Sequence, residues 1–327
     1  MKAVVFGASG MIGRYLVPAL LESNYDVIAV DRANCARRKQ CFADIGIENF
    51  QVDISNIDNF RGLPTKDIDV VIHLAGIMPA TMRDYSPGEY FKVNTIGTLN
   101  ILDYCKKISA HQFVFTTSHS DFSGYWGLGQ QINPYASPKY SYGNDHSIYS
   151  ISKRAAVEVI INAYREFGLQ YNIFRCPNIY AWNSPDTYYV DGVKRDVGWK
   201  KLITKALKGE NLEIWGDPKI KRDLVYIKDL LQMIILSLKC PSKNNIFNVS
   251  NGTSTTLEEQ IYAIAKVFNP DEKKSKIIRL PETKTLITEH SYDITNAVKI
   301  LGYRPKYFLY EMLEDIKKEI FTTTSPY

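Results

Sequence analysis

The sequence predicts an α/β fold, a doubly wound parallel sheet with a smaller, mostly C-terminal α/β part. Three observations carry that expectation. Short β-branched runs alternate with longer helical patterns through the first half of the chain, as β-α-β units do when they cover a parallel sheet on both faces. A glycine-rich turn follows the first run and opens a helical pattern. The chain has 327 residues, 45% hydrophobic and 23% charged, enough for one large domain or two ordinary ones with a substantial core.

The strands read in order as KAVVF (2–6), DVIAV (26–30), ENFQV (48–52), DVVIHLA (69–75), QFVFTT (112–117) and YNIFR (171–175). Residues 87–108 read as a helix, with Pro87 suited to its first turn and Phe91, Ile96, Leu99, Ile101 and Leu102 as apolar positions. A longer helix spans about 146–167, and its stripe Ile148, Ile151, Ala155, Val159 and Ala163 is expected to face the sheet. After YNIFRCPN the alternation stops. Residues 180–221 hold Pro185, Gly192, Gly198, Gly209, Gly216 and Pro218 around one helix (199–208). Residues 222–249 contain a strand (LVYI), a helix (229–238) and a strand (IFNVS), expected to return in part to the main sheet. A helix near 256–268, a strand near 276–279 and a helix near 308–320 follow, and the tail TTTSPY is expected to fray.

Composition excludes collagen-like, coiled-coil and disordered chains. The longest apolar stretches, such as Leu230 to Leu238, fall well short of the ~18 residues that span a bilayer, so no membrane partner is expected. No secretory signal is visible, and five scattered cysteines without a C-x-x-C pair suit a reducing cytoplasm. The five dispersed histidines predict no metal site. A net charge of +5, with no basic run longer than Arg37-Arg38-Lys39, is too diffuse for nucleic-acid binding.

Gly7, Gly10 and Gly13 in GASGMIG have the spacing of a dinucleotide turn, with Ser9, Met11 and Ile12 around the diphosphate. One glycine allows the tight turn, one admits a pyrophosphate to the backbone and one lets helix and strand pack closely. The sheet is therefore of Rossmann type. Asp31 ends the second strand, where a carboxylate accepts from adenosine ribose hydroxyls and repels a 2′-phosphate. NAD is favoured, while Arg32, Arg37 and Arg38 keep NADP open, since a guanidinium could clamp that phosphate. Asp53 is placed either for the adenine amino group or as a helix cap. The expected division is a dinucleotide-binding domain over 1–177, with 222–250 partly returning to it. Residues 178–221 and 251–327 then form a substrate-binding domain.

A proton donor or acceptor is needed beside a nicotinamide, and Y-x-x-x-K on a helix offers one because residues i and i+4 share a face. With 22 tyrosines, about two such pairs are expected by chance, and the chain has three. Tyr135/Lys139 lies between Pro134 and Pro138, which disfavour a regular helix, and Tyr262 is expected to pack on a late helix. Tyr149/Lys153 lies on the long helix, where the ammonium is expected to lower the phenol's pKa. Ser118, ending the fifth strand, is the natural partner that holds the substrate oxygen, unless it only satisfies backbone groups.

With these motifs the chain resembles the extended short-chain dehydrogenase/reductase family, among its nucleotide-sugar epimerases, dehydratases and reductases. The resemblance rests on GASGMIG, Asp31, Asp53-Ile54, HLAG (73–76), KVNTIGTLNIL (92–102), FVFTTSHS (113–120), YSISKRAAVE (149–158), FRCPNIY (174–180), RDLVYIKDL (222–230), FNVSNG (247–252) and LGYRP (301–305). It implies that Ser118, Tyr149 and Lys153 are catalytic and that Lys153 holds the nicotinamide ribose. Asp53 and Ile54 would meet the adenine, Leu74, Ala75 and Gly76 would line the cofactor, Asn94 would support the site, and Pro177 would lie beside the nicotinamide. Asn178 and Arg222 would hold the diphosphate of a nucleotide sugar, and the helices at 87–108 and 146–167 would pair in a homodimer.

The family's dehydratases follow the serine or threonine with Asp and Glu. Here His119 and Ser120 follow Ser118, so dehydration and carboxylate-assisted decarboxylation are disfavoured. His119 and Ser120 are candidate substrate contacts, His119 either as an acid/base or as a structural residue. The interval to Tyr149 holds Tyr125, Trp126, Tyr135, Tyr140 and Tyr142, which either stack on a sugar or pack the loop. The expected activity is an NAD-dependent nucleotide-sugar epimerase. The alternatives are a 4-keto-sugar reductase, an NADP-dependent carbonyl reductase on a non-nucleotide substrate, and a non-catalytic dinucleotide sensor.

Overall fold

The computed structural model describes residues 1–32, 42, 46–143, 145–190, 192–270, 273–283 and 288–322. Cys35, Arg37, Arg38, Cys41 and the end of the TTTSPY tail lie outside them. The strands are β1 (Lys2–Phe6), β2 (Asp26–Asp31), β3 (Glu48–Gln51), β4 (Val70–His73), β5 (Gln112–Ser118), β6 (Gln131–Ile132), β7 (Gln170–Cys176), β8 (Ile179–Tyr180), β9 (Thr187–Val190) and β10 (Val193–Asp196). They continue with β11 (Leu212–Trp215), β12 (Lys221–Asp223), β13 (Val225–Tyr226), β14 (Asn245–Asn248), β15 (Ser254–Thr256), β16 (Ile277–Leu280) and β17 (Ser291–Tyr292).

Seven described strands form one parallel sheet in the order β14-β7-β5-β4-β1-β2-β3. The central strands are buried on both faces, so they read as continuous apolar runs such as AVVF and VVI. The order reverses between β1 and β4, and the crevice beyond the carboxyl ends of these two strands is where such sheets bind ligands. Short two-stranded sheets stand apart from this one: β9 with β10, β11 with β16, β12 with β15, β13 with β8, and β17 with β6.

Three expectations change. In residues 222–249, β14 joins the main sheet as expected, but the LVYI segment does not: β13 pairs with β8 instead. The helix expected over 87–108 is helical from Pro87 to Lys107 but passes through a π-helical turn, Phe91–Ile96, and its Phe91, Ile96 and Leu99 are exposed. On the helix Asp145–Phe167, the buried line is Ser152, Lys153, Ala156, Val157, Ile160 and Ala163, one residue round from the expected stripe. Both flanks of this helix are covered, one by the sheet and one by the Phe91–Lys107 segment. Periodicity marks both as apolar and does not say which faces the strands.

Candidate active site

Gly7 leaves β1 at φ +84°, a conformation that favours glycine. A Cβ there would lie 2.7 Å from the amide nitrogen of Ala75, so the turn after β1 and the loop after β4 touch backbone to backbone. At Gly13 a Cβ would run into the carbonyl oxygens of Gly7 and Ala8. The helix Met11–Glu22 starts at Gly10 with no side-chain cap, and its first amides are thus suited to an anionic group. Asp31 accepts from the Ser9 amide at 2.8 Å and from its hydroxyl at 2.5 Å, which fixes the carboxylate at the rim of this turn. These features fit a dinucleotide.

Asp53 accepts from the Ser55 amide and hydroxyl at 3.0 and 2.7 Å, a local turn rather than a helix cap; Asn56 caps the next turn. Burial opposes ionisation of Asp53, but the Ser55 bonds and the charges of Arg32 and Lys92 outweigh it and lower its pKa. The Ile54 side chain is buried against Gly97, where a Cβ would lie 2.7 Å away, so its side chain serves packing. Leu74 and Ala75 are half-buried and Gly76 is exposed.

Asn94 is placed inward by the π-helical turn. Its side chain accepts from the Ile77 amide (2.9 Å) and donates to the Ile77 carbonyl (3.0 Å) and to Ser152 Oγ (3.1 Å). Ser152 donates in turn to the Tyr149 carbonyl at 2.7 Å. Asn94 thereby ties the loop after β4 to the helix of Tyr149 and Lys153.

Ser118 and Tyr149 come together: the Ser118 hydroxyl lies within reach of the phenol and acts to lower its pKa. The electrostatics differ from expectation. Burial pushes the Tyr149 phenol up to about 12, and burial pulls Lys153 down to about 7. The lysine donates to the Thr116 carbonyl at 2.7 Å and lies 4.2 Å from the Phe115 ring centre. It loses its proton at a lower pH than the phenol does, so no ammonium stands beside the phenol when that ionises and the expected lowering is not realised here. Desolvation of both groups is the physical reason. Gly76 leaves room beside Lys153, since a Cβ there would stand 3.8 Å from Nζ.

His119 is buried in a cluster of aromatic side chains. Its Nδ1 lies 2.6 Å from the Tyr292 hydroxyl, and its ring packs on Trp126, His290 and Tyr292. Burial, followed by the neighbouring His290, drives its pKa well below the ordinary value. Tyr125 and Trp126 pack the loop: Tyr125 Oη donates to the Ser137 carbonyl and Trp126 Nε1 to Tyr292. Tyr135 and Tyr142 are exposed. Tyr262, expected to pack, is 48% exposed on its helix.

Pro177 is buried and Asn178 exposed just past β7. Arg222, on β12, donates through Nη2 to Tyr180 Oη (2.9 Å) and Gln260 Oε1 (3.2 Å). Its Nε is buried without a hydrogen-bond partner among the described residues. Asp223 does not pair with it, but takes Ser250, Ser254 and the Tyr292 amide.

Sequence reading missed several neighbours. Cys176 lies within electrostatic reach of Tyr149 and Lys153, and burial pushes its thiol up to about 12 despite the lysine. The Tyr90 ring lies 5.9 Å from the Tyr149 ring, tilted against it by 59°. Tyr180 stood within the FRCPNIY motif, the one signal that could have found it. Asp121 and Arg175 form a buried ion pair beside the site. Among the described residues, no cluster of His, Cys, Asp and Glu could hold a metal, and no helix is long and apolar enough to cross a membrane.

Comparison with known proteins bears on the family and the fold. The model of the NAD dependent epimerase/dehydratase family matches residues 3–250. UDP-glucuronic acid decarboxylase 4 of Arabidopsis thaliana is 26% identical over 333 residues, covering 98% of this chain and 70% of that protein. A putative UDP-glucose 4-epimerase of Methanocaldococcus jannaschii is 29% identical over 263 residues, covering 78% of this chain and 79% of that one. The structure of UDP-glucose 4-epimerase from Thermotoga maritima with UDP-glucose superposes with a TM-score of 0.79 at 23% identity, covering 98% of this chain and 100% of that one. UDP-glucuronic acid 4-epimerase from Bacillus cereus in complex with NAD superposes with a TM-score of 0.73 at 22% identity, covering 98% and 100%. At these identities the structural likeness bears on the fold.

Proposed function

Since the chain belongs to the NAD dependent epimerase/dehydratase family, we propose that it is a nucleotide-sugar epimerase working with NAD. It oxidises a sugar hydroxyl and reduces the ketone on its other face. The observation that carries this reading is the Ser118–Tyr149 contact beside Lys153, with the nearest acid in sequence, Asp121, bound to Arg175. A dehydratase or a carboxylate-assisted decarboxylase needs an acid there.

NAD supplies reversible hydride transfer when bound. The turn of Gly7, Gly10 and Gly13 and the amides of Met11 and Ile12 would hold its diphosphate, with Asp31 and Ser9 at the adenosine ribose and Asp53 and Ile54 at the adenine. Leu74, Ala75, Gly76 and Pro177 would wall the nicotinamide side, where Lys153 would hold the ribose. Asp31 supports NAD over NADP. Ser118 holds the sugar oxygen, and Tyr149 takes its proton and later returns it. Asn178 and Arg222 grip the diphosphate while the sugar turns between faces. Residues 1–177 with 222–250 would then serve the dinucleotide, and 178–221 with 251–327 the nucleotide sugar. The exposed Phe91, Ile96, Leu99 and Tyr164 support a homodimer through the two helical segments. Unpaired Cys105, Cys176 and Cys240 support a reducing cytoplasm.

The test is mass spectrometry of the dinucleotide that co-purifies, followed by incubation with UDP-, GDP-, TDP- and CDP-sugars and chromatography of the products. An epimerase interconverts two sugars with no net change in absorbance at the reduced-cofactor band. Net consumption of added NADPH on a 4-keto sugar makes the protein a reductase, and release of carbon dioxide from UDP-glucuronic acid makes it a decarboxylase.

A further inference from the structure

Ser118 does not stand alone behind Tyr149. Its Oγ lies 2.8 Å from Ser120 Oγ and accepts from the Ser120 amide at 3.2 Å. Ser120 Oγ lies 2.7 Å from Ser150 Oγ, and Ser150 Oγ lies 2.6 Å from the His146 carbonyl, one turn back on the same helix. Ser120 and Ser150 are both buried. We propose that Ser120 and Ser150 are positioning residues: with Ser118 they form a relay of three hydroxyls that sets which way the Ser118 proton points. This rests on the reading of Ser118 and Tyr149 as the proton-handling pair.

Three hydroxyls carry three protons, and the backbone carbonyl only accepts. Before the sugar binds and with Tyr149 protonated, all bonds run one way. The phenol donates to Ser118, Ser118 to Ser120, Ser120 to Ser150, and Ser150 to the His146 carbonyl. With Tyr149 ionised, each hydroxyl rotates and the direction reverses. Ser150 donates to Ser120, Ser120 to Ser118, and Ser118 to the phenolate. No O–H bond breaks within the relay. The one proton exchanged is that passing between Tyr149 and the sugar oxygen. A chain of aligned hydroxyls polarises along its length, and a bond to an anion gains most from this. The relay therefore favours the ionised phenol against the burial that raises its pKa. His146 loses little, because a helical carbonyl keeps its i+4 amide partner.

The variants Ser120→Ala and Ser150→Ala, purified with their bound dinucleotide, test the assignment. Tyr149 is observed by carbon-13 NMR of tyrosine-labelled protein, with Tyr149→Phe identifying its signal and circular dichroism checking that the fold persists at each pH. In both variants the phenol should titrate at higher pH than in the wild type. On a nucleotide sugar that the wild type turns over, kcat should fall about fivefold to tenfold with KM unchanged, and the pH at which the rate rises should move upward with the phenol. A Tyr149 titration and pH profile unchanged in both variants would overturn the relay, whatever happens to the rate. Should the wild type act on no nucleotide sugar, the functional reading fails and the titration alone decides the relay. If one variant does not fold, the other carries the test.

Discussion

Arg175 and Asp121 meet in a two-pronged pair, Nε to Oδ1 and Nη2 to Oδ2, each at 3.1 Å, with both side chains almost fully buried. Arg175 also donates to the Pro134 carbonyl at 2.7 Å and lies 4.0 Å over the Phe122 ring. Its guanidinium thus fastens the turn after Ser118 and the Pro134 loop to the end of β7. Burial raises the Asp121 pKa, with Arg175 acting against it. Removing one partner strands a buried charge, which costs about 3–5 kcal/mol. Arg175→Met should lower stability by that amount in urea unfolding, and Asp121→Leu combined with Arg175→Met should recover most of the loss. A single-variant loss under about 1 kcal/mol would mean the pair is not buried as described.

At the dinucleotide turn the two end glycines should fail differently. Gly13→Ala drives a methyl into the Gly7 and Ala8 carbonyls, both backbone atoms that cannot step aside. Gly7→Ala adds a residue at positive φ to a contact of 2.7 Å with Ala75. Each should cost about 1–3 kcal/mol of stability and abolish co-purification of the dinucleotide. Equilibrium unfolding and mass spectrometry of the purified variants read the two effects separately.

Stability should rise with pH through the range in which Lys153 titrates. Burial depresses its folded pKa to about 7, against about 10.4 in the unfolded chain. Between these values the unfolded state binds more protons, so raising the pH favours the fold. The penalty for the buried ammonium is fully present below pH 7 and is relieved by about pH 10, amounting to about 3–5 kcal/mol. Tyr149 acts oppositely above pH 10, because its folded pKa is raised to about 12 and the fold then holds the extra proton. Lys153→Met should flatten the rise between pH 7 and 10 in urea midpoints. An equally steep rise in that variant would assign the effect to another group.

Local chemistry was legible in the sequence where neighbours in the chain are neighbours in space. β1 runs over the five residues of KAVVF, and Gly7, Gly13, Tyr149 and Ser118 stand where their spacing put them. What failed depends on packing between distant segments. Asp121 and Arg175 are 54 residues apart and meet because β5 and β7 are adjacent in the sheet. Ser120 and Ser150 meet across 30 residues for a related reason, the helix of Ser150 lying over the turn after β5. The electrostatics of Tyr149 and Lys153 turned on burial, which i, i+4 spacing does not report. A 3.6-residue period likewise left the rotation of their helix open by one position.

Arg222 offers the sharpest test of the substrate class. Two neutral side chains, Tyr180 and Gln260, orient its Nη2, while Nε is buried without a partner among the described residues. A buried donor left unmatched is costly, and a diphosphate oxygen would match it in the planar fork that arginine offers and lysine does not. Arg222→Ala should therefore raise KM for a nucleotide sugar about 10- to 100-fold, the equivalent of one charged hydrogen bond of about 1.5–3 kcal/mol, and leave kcat within about threefold. Arg222→Lys should restore little of it, because one point charge replaces the fork. Dinucleotide content should stay at the wild-type level in both. If KM for every accepted substrate is unchanged in Arg222→Ala, the guanidinium holds no phosphate, and a carbonyl reductase acting on a substrate without a nucleotide becomes the better reading.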